Sequence, residues 1–442
     1  MELVLMKSIY NHLVDWGISD PDFIFLNYNK SYTINDVLYQ VETLSKPLKY
    51  IPDDYIGIHI NSSIDTIFLY LACIKNNKTP ILIPTTISKS QLDYLISHYQ
   101  IKHIISEWIS KSLFDQGSVI YYLEELINSS RGCGVSPNSN SNSNPESILF
   151  TSGSMGHPKA VSLDLKNFYH SSLAWNKKIE FNFNDSYLLC LPLYHISGLS
   201  ILYRAIYCKF NICIIDSYRD IPLNSGTIIS LVPSLLHRLI KDASNIDKLS
   251  SLRAIIIGGE PADLSLLEKS LEMDLNIFIC YGMTETCSGI AGFWIKNHPN
   301  KLSSAGQPFD GVDISIEKGY IAIDSNMNMR GYYMDKDCNS KIITSDLGNI
   351  ENNFIYVTGR EKNIAISGGE NINTDYVKNI LLKHNAIQSV SIKINKDIKW
   401  GEIIEADLEV NTNKVSIQDI KDWCHTHIPR YAIPKIMRIV TK

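Results

Sequence analysis

Thr151-Ser-Gly-Ser-Met-Gly-His-Pro-Lys159 follows directly on a short apolar run, 147–150, that reads as a strand. Its hydroxyl residues and two glycines, Gly153 and Gly156, give a loop with free N–H donors and a closely approachable backbone. Lys159 closes the loop with a positive charge, and the set as a whole suits a polyphosphate. An ordinary polar turn is the plain alternative, and a Gly/Ser loop alone would not displace it. The loop is not a Walker A motif, because Pro158 stands where that motif has its glycine and Ala160 where it has its Ser or Thr. No serine in it sits in a G-x-S-x-G frame, so it is no nucleophile elbow either.

Outward from this loop, apolar runs bounded by turn residues alternate with stretches of helical period. The segments 55–60, 80–84 and 103–105 read as strands, with helices over 63–75 and 88–99 between them. The same alternation recurs at 227–231, 253–257 and 276–280. It predicts an α/β fold with largely parallel strands. The stretch 135–144, with its SNSNSN run, can bury nothing and reads as a solvated loop. After about residue 313 the texture changes to short alternating strands with Gly and Asn turns. From Glu370 a small unit follows, with a helix at 375–384, strands at 390–394 and 403–410, and a helix at 417–425. Two units meeting near Arg360 are expected, because 442 residues exceed what one core usually holds.

Net charge excludes one class of partner. The 41 basic and 46 acidic residues give −5, with no basic stripe, so nucleic-acid binding is not expected. The nine cysteines are odd in number and scattered, with no C-x-x-C pair, which argues against a disulfide framework and for a reducing compartment. Cys424-His425-Thr426-His427 matches no structural zinc spacing and lies on an expected helix, where adjacent residues point apart. Apolar runs such as 66–74 are too short for a membrane span, and MELVLMKSIYNHLVDW reads as an amphipathic helix without a cleavage pattern. A cytoplasmic protein is expected, or a stromal one if organelle-encoded.

The loop resembles the phosphate loop of the acyl-adenylate-forming enzymes, a family of acyl-CoA synthetases, adenylation domains and luciferases, whose pattern is T-S-G-[ST]-T-G-x-P-K-G. Met155 and Ala160 are the departures. The resemblance continues in the family's order. Leu191-Pro-Leu-Tyr-His195 resembles the motif whose histidine lines the acyl pocket. Gly258-Gly259-Glu-Pro261 resembles the turn beside the adenine. Tyr281-Gly-Met-Thr284-Glu285 resembles a motif whose Tyr stacks on adenine, Thr bonds the α-phosphate and Glu binds magnesium. Thr344-Ser-Asp346-Leu-Gly348 resembles the segment whose Asp holds the ribose hydroxyls. Gly359-Arg360-Glu-Lys362-Asn-Ile364 resembles the hinge, where the Arg reaches the ribose and Lys362 takes the pivot position. Ser367-Gly368-Gly369-Glu-Asn-Ile372 resembles the strand that turns against the active site. Singly, each residue has a bland alternative: Glu285 a solvated carboxylate, Asp346 a turn former, His195 a satisfied core histidine. As an ordered set they leave no room for coincidence.

The resemblance implies the family's two-domain fold. Residues 1–358 would form a large domain of mixed and parallel sheets with flanking helices, 359–363 the hinge, and 364–442 a small, shortened α+β domain. It implies ATP, Mg2+ and CoA as cofactor and co-substrates of an AMP-forming acid–thiol ligase. Thr151, Ser152, Gly153, Ser154, Gly156 and Lys159 would cradle phosphates, with Glu285 the metal ligand, and Gly259, Tyr281, Thr284, Asp346, Arg360, Gly368 and Gly369 the other nucleotide contacts. Lys159, His195, Thr284, Glu285 and Lys362 would carry the chemistry, and a homodimer is compatible with the family. The stretches 191–204 and 281–288 look most like ligases of an aromatic acid with a second carboxylate. Arg204 is the cation nominated for that carboxylate, with His195 and Ser197 beside it; the alternative is an Arg204 that faces solvent. Another aryl or fatty acid, an amino-acid adenylation domain, and a non-catalytic ATP binder are the competing readings. The family's C-terminal glycine-lysine pair is not reached between Pro429 and Lys442. The adenylation half-reaction is therefore the step expected to be slow, unless another lysine such as Lys442 reaches in.

Overall fold

The computed structural model describes residues 7–61, 63–107, 118–128, 144–151, 158–223, 226–335, 341–360, 364–411 and 415–440, with Arg360 by its backbone alone. Two sheets with parallel centres form the bulk of it. In the first, Tyr55–His59 lies between Thr79–Leu82 and His103–Ser106, and Thr79–Leu82 pairs with Ser147–Thr151. The sheet then turns antiparallel through Lys159–Leu163 and ends at the two-residue strand Gly331–Tyr332. In the second, Ser186–Leu189 lies between Asn211–Ile214 and Ile228–Leu231, and Ala254–Ile257 and Ile277–Met283 continue it in parallel. Ser288–Trp294 returns antiparallel beside Ile277–Met283.

Helices cover these sheets, which is why strands such as Ala254–Ile257 are apolar at every position and buried throughout. The helix Ile196–Cys208 is buried over nearly its whole length and packs against the helices Ile9–Ser19 and Leu165–Ile179 and strands of the second sheet. Against it lies Leu165–Ile179, where the Phe168 ring stacks on Tyr203 with centroids 3.8 Å apart.

An antiparallel sheet of Val312–Glu317, Tyr320–Ser325, Lys341–Glu351 and Phe354–Arg360 follows. The remaining sheet holds Ile364–Ser367, Glu370–Asn373, Ile387–Asp397, Gly401–Val410 and Ile436–Ile439. Helices Thr374–Leu381 and Ile417–His427 cover it around a separate apolar cluster that includes Ala365, Val377, Leu381, Ile404, Leu408 and Ile420. His427 stacks on Trp423 at 3.9 Å and Cys424 is buried, so the Cys-His-Thr-His stretch is helix packing.

The architecture is the expected α/β one, and the helix expected over 63–75 is Ser63–Lys75. Two expected strands prove longer. The 276–280 run extends to Met283, and 390–394 is the middle of Ile387–Asp397. Most of the latter strand faces water, so its sequence shows little apolar alternation, and backbone pairing with Gly401–Val410 carries it. Of the 135–144 loop only Asn144 is among the described residues, and its amide donates to Asp54. No helix among the described residues is long and apolar enough to cross a membrane.

Candidate active site

Thr151 and Lys159 face each other in register at the ends of two antiparallel strands, so they form the base of the glycine-containing loop. Ser152, Gly153, Ser154 and Gly156 lie outside the described residues, as does Lys362. The Lys159 ammonium sits 4.7 Å from the centre of the Tyr332 ring. The Tyr332 hydroxyl donates to Glu285 Oε1 at 3.0 Å.

Backbone pairing puts Tyr332 there. Gly331 and Tyr332 oppose Ser162 and Val161, the Tyr333 N–H donates to the Ala160 carbonyl, and the Met329 N–H donates to the Glu285 carbonyl, both at 2.7 Å. Glu285 occupies the short turn Thr284–Thr286 that ends its strand. The Thr286 hydroxyl accepts from the Met283 N–H at 3.0 Å and fixes that turn. The Glu285 side chain is half-buried with Oε2 left out of the bond to Tyr332.

Tyr281 and Asp346 come from different motifs and touch. The Tyr281 hydroxyl donates to Asp346 Oδ2 at 2.7 Å. Asp346 is buried within its strand rather than set in a turn, and it pairs in register with Arg360. Gly259 and Gly369 both have positive φ, of 82° and 87°, and both abut Val232. A Cβ on Gly369 would stand 3.2 Å from Val232 Cγ1, so the Gly368-Gly369 turn lies beside the turn resembling the adenine site.

Further contacts close that seam. His195, at the start of Ile196–Cys208, pairs through Nε2 with Glu370 Oε1 at 3.1 Å. Burial opposes charge on both groups, but their mutual attraction prevails, lifting the His195 pKa and lowering that of Glu370. Glu260 accepts from the Ser234 N–H and hydroxyl, each at 3.3 Å, and from the Gly369 N–H. Arg238 donates to the Lys399 carbonyl at 2.9 Å. Three cations surround the Trp400 ring, Lys435 at 4.5 Å, Arg238 at 4.7 Å and Lys399 at 5.1 Å from its centre.

Arg204 does not face solvent. It is 2% exposed, donates from Nη2 to Ser288 Oγ at 2.9 Å, and lies 4.1 Å over the Trp175 ring. Its Nε has no hydrogen-bond partner, and among the described residues no carboxylate pairs with it. Tyr187, Cys280, Cys287 and Cys208 surround it, and burial pushes Cys280 up to about 12 and raises Cys287 further. Burial also lowers the Arg204 pKa, yet a guanidinium stays charged in a protein. Ser197 is exposed on the same helix, seven residues before Arg204 and hence on the same face two turns away.

The structure thus gathers Thr151, Lys159, Thr284 and Glu285 at one place, Tyr281 with Asp346 at a second, and His195 with the Gly368-Gly369 turn at a third. Sequence reasoning assigned no role to Tyr332, Glu260 or Trp400, and quoted Glu370 only within a motif. Tyr332 sits on a strand of two residues, too short for any periodic signal.

This constellation is the one the sequence motifs led one to expect of an adenylate-forming site, and the chain belongs to the AMP-binding enzyme family, whose sequence profile matches residues 16–333. A 2-succinylbenzoate–CoA ligase of Bacillus velezensis is 29% identical over 96% of this chain and 92% of its own length. Among solved structures, a double mutant of the o-succinylbenzoate CoA synthetase MenE from Bacillus subtilis, bound with the product analogue OSB-NCoA, superposes with a TM-score of 0.90. It is 25% identical and the match covers 99% of this chain and 95% of that one. The same synthetase in complex with ATP and magnesium ion gives a TM-score of 0.73 at 25% identity, over 97% and 95% of the two chains. The chain thus superposes more closely on the product-analogue complex than on the complex with ATP and magnesium ion.

Proposed function

We propose that this chain is an AMP-forming acid–CoA ligase whose acid is 2-succinylbenzoate. It turns the acid, ATP and CoA into 2-succinylbenzoyl-CoA, AMP and diphosphate through an acyl-adenylate, a step toward menaquinone or phylloquinone. The observation that carries the choice of acid is Arg204. A buried guanidinium with no carboxylate partner among the described residues is costly, and a substrate that keeps a second carboxylate would offset that cost. Ser288 Oγ, already hydrogen-bonded to Arg204, adds a hydroxyl for the same group.

The roles of the other residues follow from their places. Tyr281 and Asp346 hold adenine and ribose, with Arg360 across the strand pair. Attack of the carboxylate on the α-phosphate builds charge on its oxygens, and Thr284, Lys159 and the donors of the 151–159 loop meet that charge where it forms. Glu285, half-buried with one oxygen outside its bond to Tyr332, suits magnesium, which takes one or two carboxylates and the substrate's phosphates. When bound, the metal screens the phosphates and the departing diphosphate. His195 and the Gly368-Gly369 turn border the path by which a thiol reaches the adenylate, and Ser197 lies at the outer end of the Arg204 face. Residues 1–358 are read as the nucleotide and acyl domain, 359–363 as the hinge, including Lys362, and 364–442 as the small domain with its own apolar cluster.

The test offers 2-succinylbenzoate, benzoate and a medium-chain fatty acid with ATP, magnesium and CoA, each also as the pre-made acyl-adenylate, and follows AMP and acyl-CoA by mass. Turnover of 2-succinylbenzoate alone is expected. Arg204→Met should raise the KM for this acid roughly ten- to hundred-fold, the loss of one or two hydrogen bonds to a charge, with the KM for ATP unchanged. An unchanged acid KM would remove Arg204 from the site, and turnover of another acid alone would move the substrate.

A further inference from the structure

Tyr332 touches both the phosphate-loop lysine and the carboxylate suited to the metal. Its ring lies 4.7 Å from the Lys159 ammonium and its hydroxyl bonds Glu285 Oε1 at 3.0 Å. Those two residues come from motifs more than a hundred positions apart in the chain. The backbone leaves Tyr332 little choice of place. Met329 N–H is bonded to the Glu285 carbonyl, Arg330 N–H to the Ser162 carbonyl at 2.9 Å, and Tyr333 N–H to the Ala160 carbonyl. Residues 329–333 therefore form a strap that crosses from the metal-side turn to the strand leaving the phosphate loop, with Tyr332 on the strand-paired part.

We propose that Tyr332 is a positioning residue for the adenylation step: its hydroxyl occupies Glu285 Oε1 and so presents Oε2 to magnesium, while its ring seats the Lys159 ammonium. A phenol can donate one hydrogen bond, and its acceptor here is the carboxylate. The bond fixes the rotation of a carboxylate that would otherwise be free to turn on a half-exposed side chain. Outer partners of metal ligands act in this way, by orienting the ligand rather than touching the metal. The ring contributes separately, because a cation over an aromatic face is attracted without being neutralised, so Lys159 keeps its charge for phosphate. The proposal rests on the reading of Glu285 as the magnesium ligand.

Two substitutions separate the functions. Tyr332→Phe keeps the ring under Lys159 and removes the hydroxyl; Tyr332→Leu removes both. ATP binding is measured by isothermal titration with and without magnesium, and thioester formation is followed from the pre-made adenylate as a check that each variant is folded. With Tyr332→Phe, metal-free ATP affinity should stay at the wild-type value, and the gain in affinity conferred by magnesium should fall about ten-fold or more. With Tyr332→Leu, metal-free ATP affinity should fall as well. A Tyr332→Phe protein that keeps the full magnesium gain overturns the proposal while leaving Glu285 in place. A wild-type protein without any magnesium gain overturns the metal reading of Glu285 and this proposal with it.

Discussion

At His195, burial and pairing pull in opposite directions, and the pairing wins. Burial alone would hold the imidazole below its ordinary value of 6.5, but Glu370 at 3.1 Å brings it above. The ion pair exists below the raised His195 pKa and is lost as pH climbs through it; at the acid end it is lost as pH falls through the lowered Glu370 pKa. Glu370→Gln should therefore drop the His195 pKa below the ordinary imidazole value, because burial is the larger influence left; imidazole NMR titration of the two proteins reads the change directly. A His195 pKa that stays raised in the variant would mean that another group holds the proton. That His195 belongs to a motif was legible in the sequence, whereas its pairing with Glu370 was not. A carboxylate in a turn-rich stretch signals nothing until its partner, 175 residues away in the chain, is seen beside it.

The helix Ile196–Cys208 carries Arg204 and Ser197, the residues proposed for the acid, and its start is set by a glycine that no side chain can replace. A Cβ on Gly198 would lie 2.3 Å from the Pro192 carbonyl oxygen and 2.8 Å from that of Leu191. The Leu191-to-His195 segment folds back over the first helical turn, and only a bare backbone leaves room for it. Gly198→Ala should destabilise the protein by about 1–3 kcal/mol, a cost typical of overpacking, and lower Tm in calorimetry. Because the same shift moves His195, the acid KM should suffer more than the ATP KM. Among the elements, long apolar helices and fully apolar strands bounded by turn residues were readable, as Ser63–Lys75 and Ala254–Ile257 illustrate. Gly331–Tyr332 and the outer half of Ile387–Asp397 were not, since backbone pairing with a neighbour holds them and leaves no hydrophobic imprint.

Across the whole molecule, the two units meet along Val232, Glu260, His195 and Arg238 on one side and Gly369, Glu370, Lys399 and Trp400 on the other. The cations gathered at Trp400 lie on this seam, where the phosphates of an incoming CoA would find both charge and an aromatic face. Lys435→Glu should raise the KM for CoA about ten-fold, the effect expected of removing one charge-assisted hydrogen bond, and leave acyl-adenylate formation from acid and ATP at the wild-type rate. Equal impairment of both half-reactions would place Lys435 in folding instead. The motifs made the candidate site of the large unit legible because each spans only a few residues; the seam is built from single residues far apart in the chain, and only the fold brings them together. The sulfurs around Arg204 have a chemical consequence of their own. An acyl-adenylate is an electrophile that any thiolate attacks, and Cys280 immediately precedes the tyrosine expected to stack on adenine. Burial pushes the Cys280 pKa up to about 12, so at neutral pH the group is held as the thiol. A thiol kept protonated by burial is a weak nucleophile, so Cys280 is expected to escape acylation in place of CoA even beside the proposed adenine contact.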